Sequence, residues 1–165
     1  MAPPIVRPAR QSDLPAILAI YNDAVLNETC IWIDTPVDLA ERRAWCQARV
    51  AQGYPVLVAE TAGEVVGYAS FGNFRPFEGY RFTVEHSVYI AGEARRRGIG
   101  TLLLTRLIEE ARLLGKHAMV GGVGADNAAS LALHARLGFT ETARMPELGF
   151  KFGRWQDLVF VQKIL

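Results

Sequence analysis

The sequence predicts one α/β domain over residues 1–165, α+β in its element order, with a mixed, mainly antiparallel central sheet and helices on both faces. Three observations predict it. Apolar residues recur at helical spacing up to Gly53 and at a spacing of two after it. Two short strand patterns, Val56–Glu60 and Val65–Ser70, flank Ala62-Gly63-Glu64, which reads as a hairpin and so as an antiparallel pair. A strand, a helix and another strand follow between 82 and 123 with short connections, an order that calls for a parallel pair.

In chain order, Ile5-Val6-Arg7-Pro8 is a short strand, and Ser12-Asp13 with Pro15 opens a first helix over Asp13–Leu26, its apolar stripe being Leu14, Ile17, Leu18, Tyr21, Ala24 and Val25. Thr35-Pro36 caps a second helix through Val50, punctuated by Gly53. Between them Thr29–Asp34 is an apolar loop, read as a core plug in preference to a pocket wall. After the hairpin, Asn73–Tyr80 is an aromatic loop carrying Arg75, and Phe82–Ile90 is a strand with Thr83, Glu85, Ser87 and Tyr89 on one face and Val84, His86, Val88 and Ile90 on the other. A helix to Leu114 and a strand over Ala118–Val123 come next. Asp126-Asn127 caps a fourth helix, Ala128–Leu137, stopped by Gly138, and Phe139–Thr142 and Trp155–Gln162 close the sheet.

Composition narrows the function. The 165 residues carry 18 basic and 17 acidic side chains, a net charge of +1, so no global field favours nucleic acid or an anionic membrane. Cys30, Cys46, His86, His117 and His134 show no zinc-site spacing; no metal is expected, and both cysteines read as packing residues. No signal-peptide pattern follows Met1, and no apolar run approaches the roughly 20 residues that span a bilayer, so a cytoplasmic protein is expected.

The basic turn is the chemical centre of the chain. Arg95-Arg96-Arg97-Gly98-Ile99-Gly100-Thr101 follows a strand with a polar face and opens a helix. The first N–H groups of a helix have no partner inside it, so a phosphate placed there receives several donors at once. Glycine lets the ligand approach the backbone and tolerates φ > 0. A Walker A loop is excluded because the only Gly-Lys, Gly115-Lys116, precedes His117 at a helix end; the dinucleotide fingerprint is excluded because Leu103 occupies the place of its third glycine.

What remains, Arg95-x-x-Gly98-x-Gly100, resembles the coenzyme A pyrophosphate loop of the GNAT superfamily of N-acetyltransferases. Asn127-Ala128-Ala129-Ser130 with Leu137-Gly138-Phe139 is a second match in the expected order. More narrowly, Tyr21–Val25, Arg75–Gly79, Glu85-His86-Ser87-Val88-Tyr89, Asp126–Ser130 and Lys151–Leu158 resemble the phosphinothricin N-acetyltransferase family, in particular its members acting on L-methionine sulfoximine and L-methionine sulfone. The resemblance covers nearly the whole chain. It implies the GNAT fold, a homodimer, and direct transfer of acetyl from acetyl-CoA to the α-amine of a small amino-acid analogue in a ternary complex.

The resemblance also implies roles. Val88, Tyr89, Ile90, Arg95, Arg96, Arg97, Gly98, Ile99, Gly100, Thr101, Asn127 and Ser130 would bind the coenzyme. Glu85 would be the base, since an α-ammonium with a pKa of about 8 must lose a proton before it attacks. Backbone N–H groups of Val88–Ile90 could polarise the thioester carbonyl if the strand splays there. His134 stands where the family often has a tyrosine and reads either as general acid or as a packing residue. Arg75 suits a bidentate grip on an oxyanion, Phe77 beside Pro76 could wall the side chain, and Thr83, His86 and Ser87 are close-contact candidates. His86, on the opposite strand face from Glu85, reads as structural through its side chain. Two other functions compete: the same fold with another amine or peptide N-terminus as acceptor, and a non-catalytic acetyl-CoA sensor.

Overall fold

The computed structural model describes residues 3–165. Strands β1 (Ile5–Pro8), β2 (Val56–Thr61), β3 (Glu64–Asn73), β4 (Thr83–Ile90), β5 (Ala118–Gly124), β6 (Thr140–Lys151) and β7 (Arg154–Ile164) accompany helices α1 (Leu14–Asn27), α2 (Leu39–Ala51), α3 (Ile99–Leu113) and α4 (Ala128–Arg136). The seven strands form one sheet in the order β1-β2-β3-β4-β5-β7-β6. Every neighbouring pair is antiparallel except β4 and β5, the parallel pair expected from the strand, helix, strand order.

The period of two in β2 builds a core on each face. Val56 and Val58 pack with Ile17 and Ile20 of α1 and with Tyr68. Leu57 and Ala59 pack on the other side with Leu103, Leu104 and Leu107 of α3. The hairpin between β2 and β3 turns on Ala62 and Gly63, both at positive φ (53° and 86°), as a type I′ turn requires. Alternation also holds in β4: Val84 lies in the α3 core, whereas Tyr89 packs against the α1 side.

Three boundaries differ from expectation. Asp13 does not cap α1 with its side chain; its carboxylate accepts from Arg7 Nη1 at 2.7 Å and from the backbone N–H of Arg10 at 2.7 Å. The second helix begins at Leu39, with Asp38 accepting the Glu41 N–H at 2.8 Å, because Val37 is held outside it by reciprocal hydrogen bonds with the Asn22 amide on α1. β6 continues to Lys151 instead of ending at Thr142, although residues 143–148 show no alternation. Its ladder comes from β7 across a hairpin turned at Phe152 and Gly153 (φ 52° and 72°), with a register shift between Met145 and Gly149.

The Arg7 and Asp13 pair ties β1 to the start of α1, and Arg7 also donates to Glu60 Oε2 at 2.8 Å. The Arg7 guanidinium holds the Asp13 carboxyl below its ordinary value. A carboxyl depressed in the folded chain contributes stability that is present above the ordinary aspartate pKa of about 3.9 and is lost as pH falls through the folded value. Asp13→Asn is therefore expected to lower Tm at neutral pH and to flatten the fall of Tm on acidification, measured by thermal melts from pH 7 downward.

Candidate active site

The site arises where the parallel pair comes apart. β4 and β5 are paired only at Thr83↔Ala118, Val84↔Met119 and Glu85↔Val120. Beyond Glu85, β4 stays with β3 as far as Ile90 and β5 stays with β7 as far as Gly124, so a wedge opens between them. On that side the β4 edge from His86 onward has no strand partner among the described residues, and the backbone groups it turns away from β3 face the wedge, the Ile90 carbonyl accepting from Arg95. The splay on which the carbonyl-polarising role of Val88–Ile90 depends is thus present.

At the open end of the wedge α3 begins. Its N-cap is Gly98, left-handed at φ 78° and without a side-chain cap, so the N–H groups of Ile99, Gly100 and Thr101 are free of intrahelical partners. Gly100 lets α4 come close: a Cβ there would stand 3.2 Å from Leu133 Cδ2. Asn127 starts α4, its side chain accepting the Ser130 N–H at 3.0 Å. Together these elements enclose a cleft of about 1080 Å³. Free helix N–H groups, an unpaired strand edge and adjacent arginines fit a long ligand carrying phosphates and a carbonyl.

Of the coenzyme residues expected from sequence, the cleft is lined by all but Arg97. Arg95 is already engaged, ion-paired with Glu28 and reaching the Ile90 carbonyl at 3.3 Å, so it braces the turn against the end of α1. Arg96, at φ 60°, lines the cleft. The acceptor set divides. Glu85, His86 and Ser87 line the cleft, whereas Arg75, Pro76, Phe77 and Thr83 lie outside its lining. Phe77, expected as a pocket wall, is 73% exposed. The loop is held by its own contacts instead: Phe74 packs edge-on to Tyr80, and the Arg75 guanidinium lies 4.2 Å over the Phe74 ring.

Glu85, the last paired residue before the splay, is half-buried. Burial pushes its carboxyl above the ordinary glutamate value, opposed first by the charge of Arg75 and then by that of Arg49. Among the described residues no lysine or arginine forms an ion pair with it.

His134 is 4% exposed and stacks on His86 across the α3 side of the sheet, Nε2 to Nε2 at 3.2 Å. Its Nδ1 lies 2.7 Å from the Ser130 carbonyl, which can only accept, so Nδ1 carries the proton. Nε2 is then the acceptor for His86 Nε2–H. Burial keeps both rings neutral, lowering His134 and taking His86 down to about 3. A Cβ at Gly121 would stand 2.8 Å from His86 Nε2. Gly121→Ala is accordingly expected to cost about 1–3 kcal/mol of stability by overpacking, read as a lower denaturation midpoint.

Among the cleft residues to which the sequence reading gave no site role are Glu28, Cys30, Trp32 and Arg49. Cys30 is a wall residue, not core packing; burial and the Glu28 carboxylate push its thiol up to about 12. The loop expected as a plug does both jobs, because Ile31 is buried while Thr29, Cys30 and Trp32 face the cleft. Lys151, 1% exposed, fixes it by donating to the Ile31 carbonyl. Two strand glycines mark the arrangement: a Cβ at Gly149 would overlap the Trp32 ring, and one at Gly72 would overlap the Arg49 guanidinium.

Residues 17–139 match the acetyltransferase (GNAT) family. The chain belongs to that family. It is 60% identical over 158 residues, 95% of this chain and 92% of the relative, to an L-methionine sulfoximine/L-methionine sulfone acetyltransferase of Pseudomonas paraeruginosa. It is 44% identical to a phosphinothricin N-acetyltransferase of Alcaligenes faecalis, over 97% of this chain and 82% of the relative. A solved structure from Salmonella typhimurium, described as a putative acetyltransferase with its cofactor acetyl-CoA, superposes with a TM-score of 0.96 at 54% identity, covering 98% of this chain and 94% of that one. The sheet that parts at Glu85 is the GNAT fold, and the protein is an N-acetyltransferase of that family. Among the described residues no helix is long and apolar enough to cross a membrane, and no group of three metal-ligating side chains occurs.

Proposed function

We propose that the protein transfers acetyl from acetyl-CoA to the α-amine of small amino-acid analogues, of the kind represented by L-methionine sulfone, L-methionine sulfoximine and phosphinothricin, in a ternary complex. The observation that carries this reading is Glu85: a half-buried carboxylate without an ion pair, placed where the two strands part, so that it meets both arms of the cleft.

The bound coenzyme supplies the acetyl thioester. Ile99, Gly100 and Thr101 N–H groups with Arg96 hold its pyrophosphate, and the free β4 edge over Val88–Ile90 donates to its carbonyl. Glu85 takes the proton of the acceptor ammonium, directly or through one water, its raised pKa narrowing the gap to the amine. His134 has its one proton committed to Ser130, so it supports the α4 wall; as the C–S bond breaks the coenzyme sulfur leaves as a thiolate and takes the proton that the newly acylated nitrogen sheds. Arg75 at the mouth takes the sulfone, sulfoximine or phosphinate oxygen of the side chain. The acetyl-CoA requirement suits a cytoplasmic enzyme.

The test is release of free CoA from acetyl-CoA with L-methionine sulfone, L-methionine sulfoximine, phosphinothricin, common amino acids, spermidine and an aminoglycoside. Turnover on the sulfone and sulfoximine is expected; turnover only on spermidine or the aminoglycoside, or none, would overturn the reading. Arg75→Ala should raise acceptor KM and, by removing a positive charge from Glu85, move the acid limb of the pH–rate profile to higher pH. Homodimerisation is supported by Leu148, Phe150 and Trp155, exposed together on the hairpin of β6 and β7. Sedimentation should then give twice the 18.2 kDa chain mass.

A further inference from the structure

One cation in the cleft has no role in the chemistry above. Arg49 reaches from α2 over the sheet face that carries Glu85, and its guanidinium fills the space where a Gly72 side chain would stand. Gly72 is the cross-strand partner of Glu85. Such partners project from one face with Cβ positions about 5 Å apart, so the guanidinium lies beside the base. It is nevertheless not ion-paired with Glu85 or with any other described carboxylate. Its Nε is buried with no hydrogen-bond partner. The guanidinium carbon lies 5.9 Å from the Trp45 ring centre, a weak cation–π contact; a half-buried guanidinium without a carboxylate is still costly, and its fork of donors is suited to one.

We propose that Arg49 binds the α-carboxylate of the acceptor and thereby sets the α-amine against Glu85. The assignment rests on the amino-acid-analogue reading. In an α-amino acid the amine and the carboxylate share one carbon, so an amine at Glu85 places the carboxylate on the immediate neighbour of Glu85, which is where the guanidinium lies. The charge of Arg75 also reaches Glu85, but its guanidinium lies outside the cleft lining, donates to the Phe74 carbonyl and stacks on the Phe74 ring. The sulfone, sulfoximine or phosphinate end, two methylenes farther from the α-carbon, extends toward the mouth. Arg49 also offsets the repulsion between the incoming carboxylate and Glu85, and so makes a free α-carboxylate a requirement of the acceptor rather than a tolerated group. Gly72 is the specificity device that leaves room for it.

The experiment compares L-methionine sulfone with its decarboxylated analogue, 3-(methylsulfonyl)propylamine, in wild type, Arg49→Gln, Arg49→Lys and Gly72→Ala. Wild type should prefer the sulfone. Arg49→Gln should lose roughly 10- to 100-fold in kcat/KM on the sulfone, the range for a charge-assisted contact, when compared at a pH above the acid limb of each variant; on the propylamine it should only move that limb to higher pH, since the Arg49 charge holds the Glu85 carboxyl down, with the KM for acetyl-CoA little changed. Arg49→Lys, which keeps the charge but not the fork, should fall between. Gly72→Ala, which displaces the guanidinium without removing it, should also lose preference for the sulfone. Equal losses on both acceptors in Arg49→Gln and Gly72→Ala would mean that Arg49 only supports the fold, and undiminished sulfone turnover in Arg49→Gln would place the carboxylate elsewhere; either overturns the proposal while the amino-acid reading stands. A wild-type enzyme that acetylates the propylamine as well as the sulfone would overturn it directly. Inactivity of the wild type on every α-amino acid would remove the functional reading itself, and the Arg49 assignment with it.

Discussion

Glu85→Gln should lower kcat on the sulfone by about 10²-fold or more while acetyl-CoA affinity is nearly unchanged, because the side chain contributes a proton acceptor and makes no contact that the coenzyme needs. The substitution is nearly isosteric, and Glu85 has no ion pair to lose, so the melting temperature should move little. The acid limb of kcat/KM should disappear with it, since that limb reports the carboxyl whose pKa burial raises. Full activity of Glu85→Gln across pH would assign the base elsewhere. A loss that appeared in acetyl-CoA KM alone would make Glu85 part of the coenzyme site.

Gly98→Ala should raise the KM for acetyl-CoA by about tenfold with a smaller effect on kcat. The effect is conformational. A Cβ at Gly98 meets nothing within 4 Å, but the backbone there is left-handed at φ 78°. An alanine costs roughly 1–2 kcal/mol in that conformation, and relaxing it would turn the first N–H groups of α3 away from the phosphates. Calorimetric titration with CoA separates this from a folding defect: binding should weaken at a temperature well below the melt. Undiminished binding would show that the turn tolerates the side chain and that the arginines carry the phosphate contact.

The two variants probe features that differ in how they are written in the chain. The turn at Gly98 is local. Arg95 to Gly100 are contiguous, and a strand with a polar face ahead of a helix is enough to read an anion site. The face of Glu85 is also local, since alternation from Thr83 to Ile90 places it opposite Val84 and His86 without reference to any other strand. Loop 74–80 shows the limit of that reasoning. Arg75, Pro76 and Phe77 have suitable chemistry, but whether they enter the cleft depends on Phe74 packing on Tyr80 and Arg75 packing on Phe74. The length of β6 is a similar case, because residues 143–148 carry no period of their own and are strand only where β7 provides a ladder.

Sequence alone determined the helices and strands to within a few residues, the length of β6 apart, the parallel pair at β4 and β5, the glycine turn that opens α3, and the strand face that carries Glu85. Each of these rests on periodicity or on a few adjacent residues. Only the tertiary structure decided that β4 and β5 part after Glu85, that His134 spends its proton on Ser130 and stacks on His86, that Trp32 lies over Gly149, and that Arg49 lies over Gly72. Those contacts join residues far apart in the chain. Their geometry follows from how the helices pack on a twisted sheet, and the only local trace they leave is a glycine where another element needs the room.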